Sequence, residues 1–328
     1  MRLALIGCGT HSGRAHAPCL ARYAGEHPGE VQLAAVCDLD RGRAADFAAR
    51  YGFAAVYGDY PAMLRESRPD AVVCVMPVAQ VAPVAADLLE RGVPCVIEKP
   101  IATSPEAALQ LAEVSRRTGT PHLVSFNRRF NPSLAAGRAW AAEAGPLRFV
   151  RGAMLRHRRI DPEFFWATAL HLVDTLAYLA GEIEECRPQA ITGPEMAAPW
   201  CVAALRFRGG CVGQLEILPT TGAYEETYEL CGEDFRVRAC IFDWNARPSL
   251  RCWRSRQLQV ETVVPADQPE FLHDGSYEEL CQFLHGLRDG TPLRPTIQDA
   301  LHSTRVSFEL AGQVAQSGHG RIGPITRS

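Results

Sequence analysis

Five short apolar runs, Leu3–Ile6, Leu33–Cys37, Ala71–Met76, Pro94–Ile97 and His122–Ser125, recur through the first 125 residues with segments of helical spacing between them. Runs separated by that much chain predict parallel strands, because a parallel pair needs a crossover and cannot be closed by a tight turn. Strands that are apolar throughout are buried on both faces, so helices must cover both sides of the sheet. The punctuation agrees. Ser104 is placed to cap a helix with Pro105 at its first position, and Gly92 and Gly119 stand where helices stop.

The first run leads directly into Gly7-Cys8-Gly9-Thr10-His11-Ser12-Gly13. Glycines there let the backbone turn tightly and approach a pyrophosphate, whose charge is met by the unpaired amides at the next helix's start. Ser12 occupies the place of the third glycine of the G-x-G-x-x-G pattern, and Gly13 comes one step late. The second strand ends in Cys37-Asp38. A carboxylate at that point can accept from both hydroxyls of an adenosine ribose and would repel a 2′-phosphate, which favours NAD over NADP. Arg41, close behind, could meet a 2′-phosphate and soften that preference. The distance from the glycines to Asp38 exceeds the usual spacing, a surplus assigned to the polar insert Gly25–Glu30.

At 328 residues the chain is long for one core and natural for two domains, and 47% hydrophobic with 22% charged residues excludes disordered and fibrous classes. A net charge of -3 gives no electrostatic reason to expect nucleic acid or an anionic membrane surface. No apolar run approaches membrane-spanning length and the start is too short for a signal peptide, so a cytoplasmic location is expected. The twelve cysteines show no C-x-x-C pair and read as small buried thiols. The histidines form no H-x-x-x-H or H-x-x-E-H cluster, and no metal is expected.

Val96-Ile97-Glu98-Lys99-Pro100 ends a short apolar run in a charged pair backed by proline. Open α/β sheets bind ligands at the carboxyl ends of their strands, so a cation here would stand beside a cofactor cleft. Taken alone, the pair equally describes a solvated strand exit. The order of motifs carries more. The GCG turn, Asp38, Tyr57-Gly58-Asp59-Tyr60, Met76-Pro77, Glu98-Lys99-Pro100, Phe126-Asn127-Arg128-Arg129-Phe130-Asn131-Pro132 and the closing stretch Gly290–Thr296 through Asp299-Ala300 together resemble the Gfo/Idh/MocA oxidoreductases. The resemblance covers nearly the whole chain, and EKP is its most specific motif.

That resemblance implies an α/β fold: an N-terminal Rossmann domain with a doubly wound parallel sheet, residues 1–125, and a C-terminal α/β domain with an open, mainly antiparallel sheet, residues 126–328. The second would cover the substrate and make a homo-oligomer, dimer or tetramer, through its sheet. It implies NAD as cofactor, with NADP possible, and a sugar, cyclitol or related polyol as substrate. Gly7, Gly9, Thr10, His11, Ser12, Asp38, Pro77, Glu98, Lys99 and Arg128 would bind the cofactor. Lys99, His171 and Asp174 would be catalytic. His171 and Asp174 are three residues apart and share one face of a helix ending at Gly181. A cleft among Glu98-Lys99-Pro100, Arg128 and His171 is expected, with a cis bond before Pro100.

Strand-like runs at Leu147–Leu155, Cys201–Phe207, Cys211–Ile217, Glu225–Cys231, Phe235–Ile241 and Leu250–Trp253 fit the second domain, with helices at Pro132–Ala144, Ala167–Ala180 and Tyr277–Leu287. After the first of these strands, alternation sends Arg156 and Arg158 to one face and His157 and Arg159 to the other. The first pair could bind a carboxylate or phosphate on the substrate, or be a solvated basic strand end. Tyr224 matches a substrate-pocket position or is a packed sheet tyrosine.

Two positions depart from the family pattern. Ala167 replaces an aspartate that usually lies four residues before the histidine, which leaves His171 without a carboxylate on its own helix face; Thr168 is the nearest polar substitute. Gln80 and Val81 lie where many relatives carry a histidine after Pro77. A dehydrogenase is the leading reading. A same-fold protein with altered chemistry (enone or imine reduction, or elimination) or a catalytically lapsed cofactor-binding regulator is the alternative.

Overall fold

A computed structural model describes residues 1–317. The described chain divides into two compact units, one of residues 1–136 with 264–304, the other of residues 137–263 with 305–317.

The first unit is a six-stranded sheet of β1 (Arg2–Ile6), β2 (Gln32–Cys37), β3 (Val56–Tyr57), β4 (Ala71–Cys74), β5 (Cys95–Glu98) and β6 (His122–Ser125). The order is β3-β2-β1-β4-β5-β6 and every pairing is parallel. The order reverses between β1 and β4, which opens a crevice at their carboxyl ends. Crossovers are supplied by α1 (Ala17–Glu26), α2 (Arg41–Tyr51), α3 (Tyr60–Ser67), α4 (Val78–Glu90) and α5 (Pro105–Thr118). Their ends follow the local chemistry. Asp40, Asp59 and Ser104 each accept a backbone N–H from the first turn of the helix they cap, and Gly52 and Gly119 end helices in the left-handed region.

On one face of this sheet, Leu3, Leu5, Val36, Val73, Val96 and Leu123 form a core with Leu20 and Tyr23 of α1. Leu280, Phe283 and Leu284 complete it, from α8 (Ser276–Asp289), the helix expected at Tyr277–Leu287. The return of this segment is bolted by the Asn-Arg-Arg-Phe-Asn motif. Asn127 Nδ2 donates to the Asp274 carbonyl (3.1 Å) and Asn131 Nδ2 to that of His273 (2.7 Å). Gly275, at φ +96°, passes so close that a Cβ would lie 1.9 Å from the Asn127 carbonyl oxygen.

The second unit holds β7 (Leu147–Leu155), β8 (Ile183–Ile191), β9 (Trp200–Phe207), β10 (Val212–Leu218), β11 (Glu225–Gly232), β12 (Phe235–Asp243), β13 (Ser249–Arg254) and β14 (Gln257–Val263). The sheet order is β14-β13-β12-β11-β7-β10-β9-β8, and β7 with β10 is its one parallel pairing. The two edge strands escaped the sequence reading. β14 is exposed along most of its length and so lacks the alternation of a half-buried strand. β8 carries Pro188, which an edge strand tolerates because one side of its ladder has no partner. Across the middle lies α7 (Leu170–Ala180), seated on Gly152 of β7, where a Cβ would come within 2.6 Å of Leu172 Cδ1. The unit boundaries fall inside α6 (Pro132–Ala144) and α9 (Ile297–Ser317).

Candidate active site

The glycine turn leaves β1 at the switch point. Gly7 has φ +91°, and a Cβ on it would sit 1.8 Å from the Val75 carbonyl oxygen, so only glycine fits. A Cβ on Gly9 would meet nothing within 4 Å, so the backbone there stays open to a close-approaching group. Cys8 donates its backbone N–H to Asp38 Oδ2 at 2.7 Å, and Asp38 Oδ1 accepts from the Asp40 amide (2.9 Å) and from Arg43 Nη2 (3.0 Å). Burial alone would raise this carboxyl; the two amides and Arg43 outweigh it and hold it below the usual range. The arginine at Asp38 is therefore Arg43. Arg41 instead lays its stem over Gly58, where a Cβ would lie 3.1 Å from Arg41 Cγ.

A cavity of about 460 Å³ opens beside the turn, lined by Gly9, Thr10, Arg14, Arg43 and Arg50 among others. Three arginines against one acid, Asp46, leave the lining net cationic, and with the exposed glycine backbone it fits a dinucleotide's pyrophosphate and ribose. Ser12, at the third glycine's place, is fully buried.

Past Thr10 the helix begins as a widened π turn over Ser12–His16 before settling into α1. His11 and His16 are five residues apart, which on an α-helix would turn them roughly 140° from each other. The wider turn brings them onto one side, their rings edge to face with centroids 5.5 Å apart. Both point Nε2 at the same oxygen, Glu98 Oε1, at 3.0 Å from His11 and 2.7 Å from His16. The spacing of five residues, outside the three and four that mark one face of an α-helix, hides His16 in the sequence. Glu98 is 5% exposed. Burial would raise its pKa, yet His11 and His16 hold it well below the usual carboxylate range. The Glu98 charge in turn raises the pKa of His11, against burial and the nearby charges of Lys99 and Arg128.

Lys99 follows at the carboxyl end of β5. Its backbone N–H donates to Glu98 Oε2 (3.1 Å), and the Lys99–Pro100 peptide is cis as expected. Arg128 Nη1 donates to Asn127 Oδ1 at 2.9 Å. Beside Glu98 on β6, Ser125 donates to Glu279 Oε1 (2.7 Å), whose buried carboxyl burial pushes well above the usual range. Pro77 precedes α4 at the end of β4, and Pro77 and Gln80 are exposed.

In the second unit, His171 and Asp174 are both buried on α7, at 7% and 0% exposure. Ala167 sits in a π turn, Phe164–Thr168, just before it. Thr168 Oγ1 accepts from Arg159 Nη2 (2.9 Å), and Arg159 is clamped to Asp161 through two bonds of 2.7 and 2.9 Å. The arginines after β7 do not follow simple alternation. The strand stops at Leu155, Arg158 is exposed at φ +53°, and Arg156 is 2% exposed. Arg156 spends its guanidinium on Glu226 Oε2 (2.6 Å) and the carbonyls of Leu155 and Glu225, 4.4 Å under the Tyr224 ring. Arg156 is thus a buried support for Tyr224, and the two arginines share no face.

A parallel sheet ordered in this way, with a glycine turn at its switch point and a held acid at the next strand end, defines a dinucleotide-binding fold. Comparison with known proteins agrees. A Gfo/Idh/MocA family model described as "Oxidoreductase family, NAD-binding Rossmann fold" matches residues 1–126. Inositol 2-dehydrogenase of Rubrobacter xylanophilus is 33% identical over 218 residues, a match spanning 62% of each chain. Inositol 2-dehydrogenase 2 of Saccharopolyspora erythraea is 32% identical over 249 residues, 71% of each. Among solved structures, levoglucosan dehydrogenase in complex with NADH and levoglucosan superposes with a TM-score of 0.81 at 20% identity, over 96% of this chain and 97% of that one. This chain belongs to the Gfo/Idh/MocA oxidoreductase family. No helix among the described residues is long and apolar enough to cross a membrane.

Proposed function

We propose that this protein oxidises a secondary alcohol of a sugar, cyclitol or related polyol, with NAD preferred to NADP as hydride acceptor. The observation that carries the reading is Lys99, set at the carboxyl end of β5 with its backbone fixed by the buried Glu98, two strands along from the glycine turn. The names of the relatives, inositol 2-dehydrogenases and a levoglucosan dehydrogenase, support the substrate class.

Bound nicotinamide supplies the carbon that takes the hydride. The protein's own share is proton handling and orientation. Gly7, Gly9, Thr10, His11 and Ser12 present the turn to the pyrophosphate, Asp38 takes the ribose hydroxyls, and Pro77, Glu98 and Arg128 complete the cofactor contacts. Lys99 holds the substrate hydroxyl and stabilises the oxygen as its charge changes, with His171 taking the proton and Asp174 orienting the alcohol. Arg158 and Tyr224 contact the substrate, Tyr224 steadied from below by Arg156. A division of labour between a cofactor-binding and a substrate-covering domain, a cytoplasmic location and self-association through the eight-stranded sheet belong to the same reading; that sheet carries the exposed Val212, Leu258 and Val263.

One residue favours the second reading, altered or lapsed chemistry on the same fold. Ala167 is buried where a carboxylate would support His171, and Thr168 beside it is already bonded to Arg159. The test is a panel of inositols, sugars and sugar acids mixed with NAD and the protein, followed by nicotinamide absorbance. Turnover of at least one polyol is expected. NADH binding without turnover of any would favour the second reading, and failure to bind NADH would overturn both.

A further inference from the structure

We propose that His11, His16 and Glu98 form a binding site for one divalent transition-metal ion of the zinc or cobalt type. Among the described residues, these three offer ligand atoms that all lie within 4.8 Å of one another. Two imidazole nitrogens and one carboxylate oxygen are a donor set that suits such ions and leaves a coordination position for water. The π turn at Ser12–His16 is what makes the set, since an α-helical path would turn the two rings apart.

The dimensions are close to those an ion needs. Bonds of about 2.0–2.1 Å around a tetrahedral centre put neighbouring donor atoms roughly 3.3 Å apart. Here Glu98 Oε1 stands 3.0 Å from His11 Nε2 and 2.7 Å from His16 Nε2, so the group must open by about half an ångström. His11, whose side chain is 57% exposed, can make that movement, whereas His16 and Glu98, at 9% and 6%, are fixed by burial. Lys99 and Arg128 lie near enough for their charges to act on His11, and they oppose a dication. Binding is therefore weaker than in a closed structural zinc site, and metal-free protein stays folded.

His11 and Glu98 are shared with the proposed cofactor contacts, so the ion is titrated alone, without dinucleotide, and its failure to bind is distinguishable from a failure to bind NADH. Titrate the full chain with Co²⁺, following visible absorption, and with Zn²⁺ by calorimetry, for the wild type and for His11→Ala, His16→Gln and the surface control His27→Ala. One ion per chain is expected, with affinity at least about tenfold weaker in His11→Ala and His16→Gln and unchanged in His27→Ala. His11→Ala alters an exposed ring and keeps the test decisive if His16→Gln fails to fold. Absence of Co²⁺ and Zn²⁺ binding at millimolar concentration, or affinity unchanged in His11→Ala, would overturn the proposal.

Discussion

Cys8 and Asp38 are joined by a 2.7 Å hydrogen bond from the backbone N–H of one to the carboxylate of the other, so the glycine turn and the end of the second strand move as one piece. The acid proposed to choose the cofactor thus also orders the turn that would hold its phosphates. Asp38→Ala should weaken NADH binding by about tenfold, the scale of one charged hydrogen bond, and should narrow the gap to NADPH. Arg43, bonded to the same carboxylate, is the residue placed to meet a 2′-phosphate, so Arg43→Ala should lower NADPH affinity more than NADH affinity. Calorimetric titration of both cofactors checks this. An unchanged NADH to NADPH ratio in Asp38→Ala would count against the assignment.

Gly7→Ala should fail at the level of folding. Its φ of +91° and the 1.8 Å approach of a Cβ to the Val75 carbonyl leave no relaxed solution, because the obstacle is backbone, one residue past the end of β4. A loss of at least about 3 kcal/mol is expected in denaturant unfolding. Gly9→Ala, with open space around it, should cost far less stability.

What the sequence made legible follows the range of the physics involved. Five parallel strands of the first sheet have apolar centres buried on both faces, and the caps at Ser104 and Gly119 are local chemistry, so both can be read along the chain, whereas the two-residue β3 is too short to leave a run. The edge strands β8 and β14 bury too little to leave a pattern. Nothing in chain order tells that Leu280, Phe283 and Leu284 pack against strands more than 150 residues earlier, since that choice is made by the shape of the core. In the site, Glu98 and Lys99 stand out through the EKP motif, whereas His16 could not be paired with His11 until the π turn was known. Arg156 looked free because alternation says which face a side chain takes and nothing about the acid waiting there, Glu226.

His122 gives the first unit an acid-sensitive joint. Nδ1 donates to the Thr120 carbonyl (2.8 Å) and Nε2 accepts the Ile297 N–H at the start of α9 (3.1 Å), an arrangement only the neutral ring can make. Burial, against the Thr120 bond and the Asp299 charge, lowers its pKa from the ordinary 6.5. The unfolded chain then binds the proton more readily, so this contribution to stability is complete above about pH 6.5 and is lost as pH falls toward the depressed value. Stability measured from pH 7.5 to 5 should decline less steeply in His122→Gln than in the wild type; parallel curves would contradict the role.

Arg156 and Glu226 form a buried ion pair whose value lies in being whole. Glu226→Gln leaves the guanidinium buried without its counter-charge, and one amide oxygen then stands where two carboxylate oxygens served Arg156 Nη2 (2.6 Å) and the Tyr228 hydroxyl (2.8 Å), so a loss of about 3–5 kcal/mol is expected. Arg156→Met combined with Glu226→Leu should lose less than either single change, because no charge is then stranded. Chemical denaturation of Arg156→Met, Glu226→Leu and the double variant decides it, and additive losses would argue against the pair.

Lys99 is the residue on which every functional reading converges. If it stabilises the reacting oxygen, its ammonium matters in the chemical step and little to dinucleotide affinity, since that oxygen's charge changes only as hydride leaves. The decisive measurement is kcat for Lys99→Ala on a polyol that the wild type oxidises, set beside NADH affinity for the same preparation. A fall in kcat of about 100-fold or more with NADH binding intact is the predicted result; undiminished turnover would show that Lys99 is structural and contradict the proposed dehydrogenase chemistry.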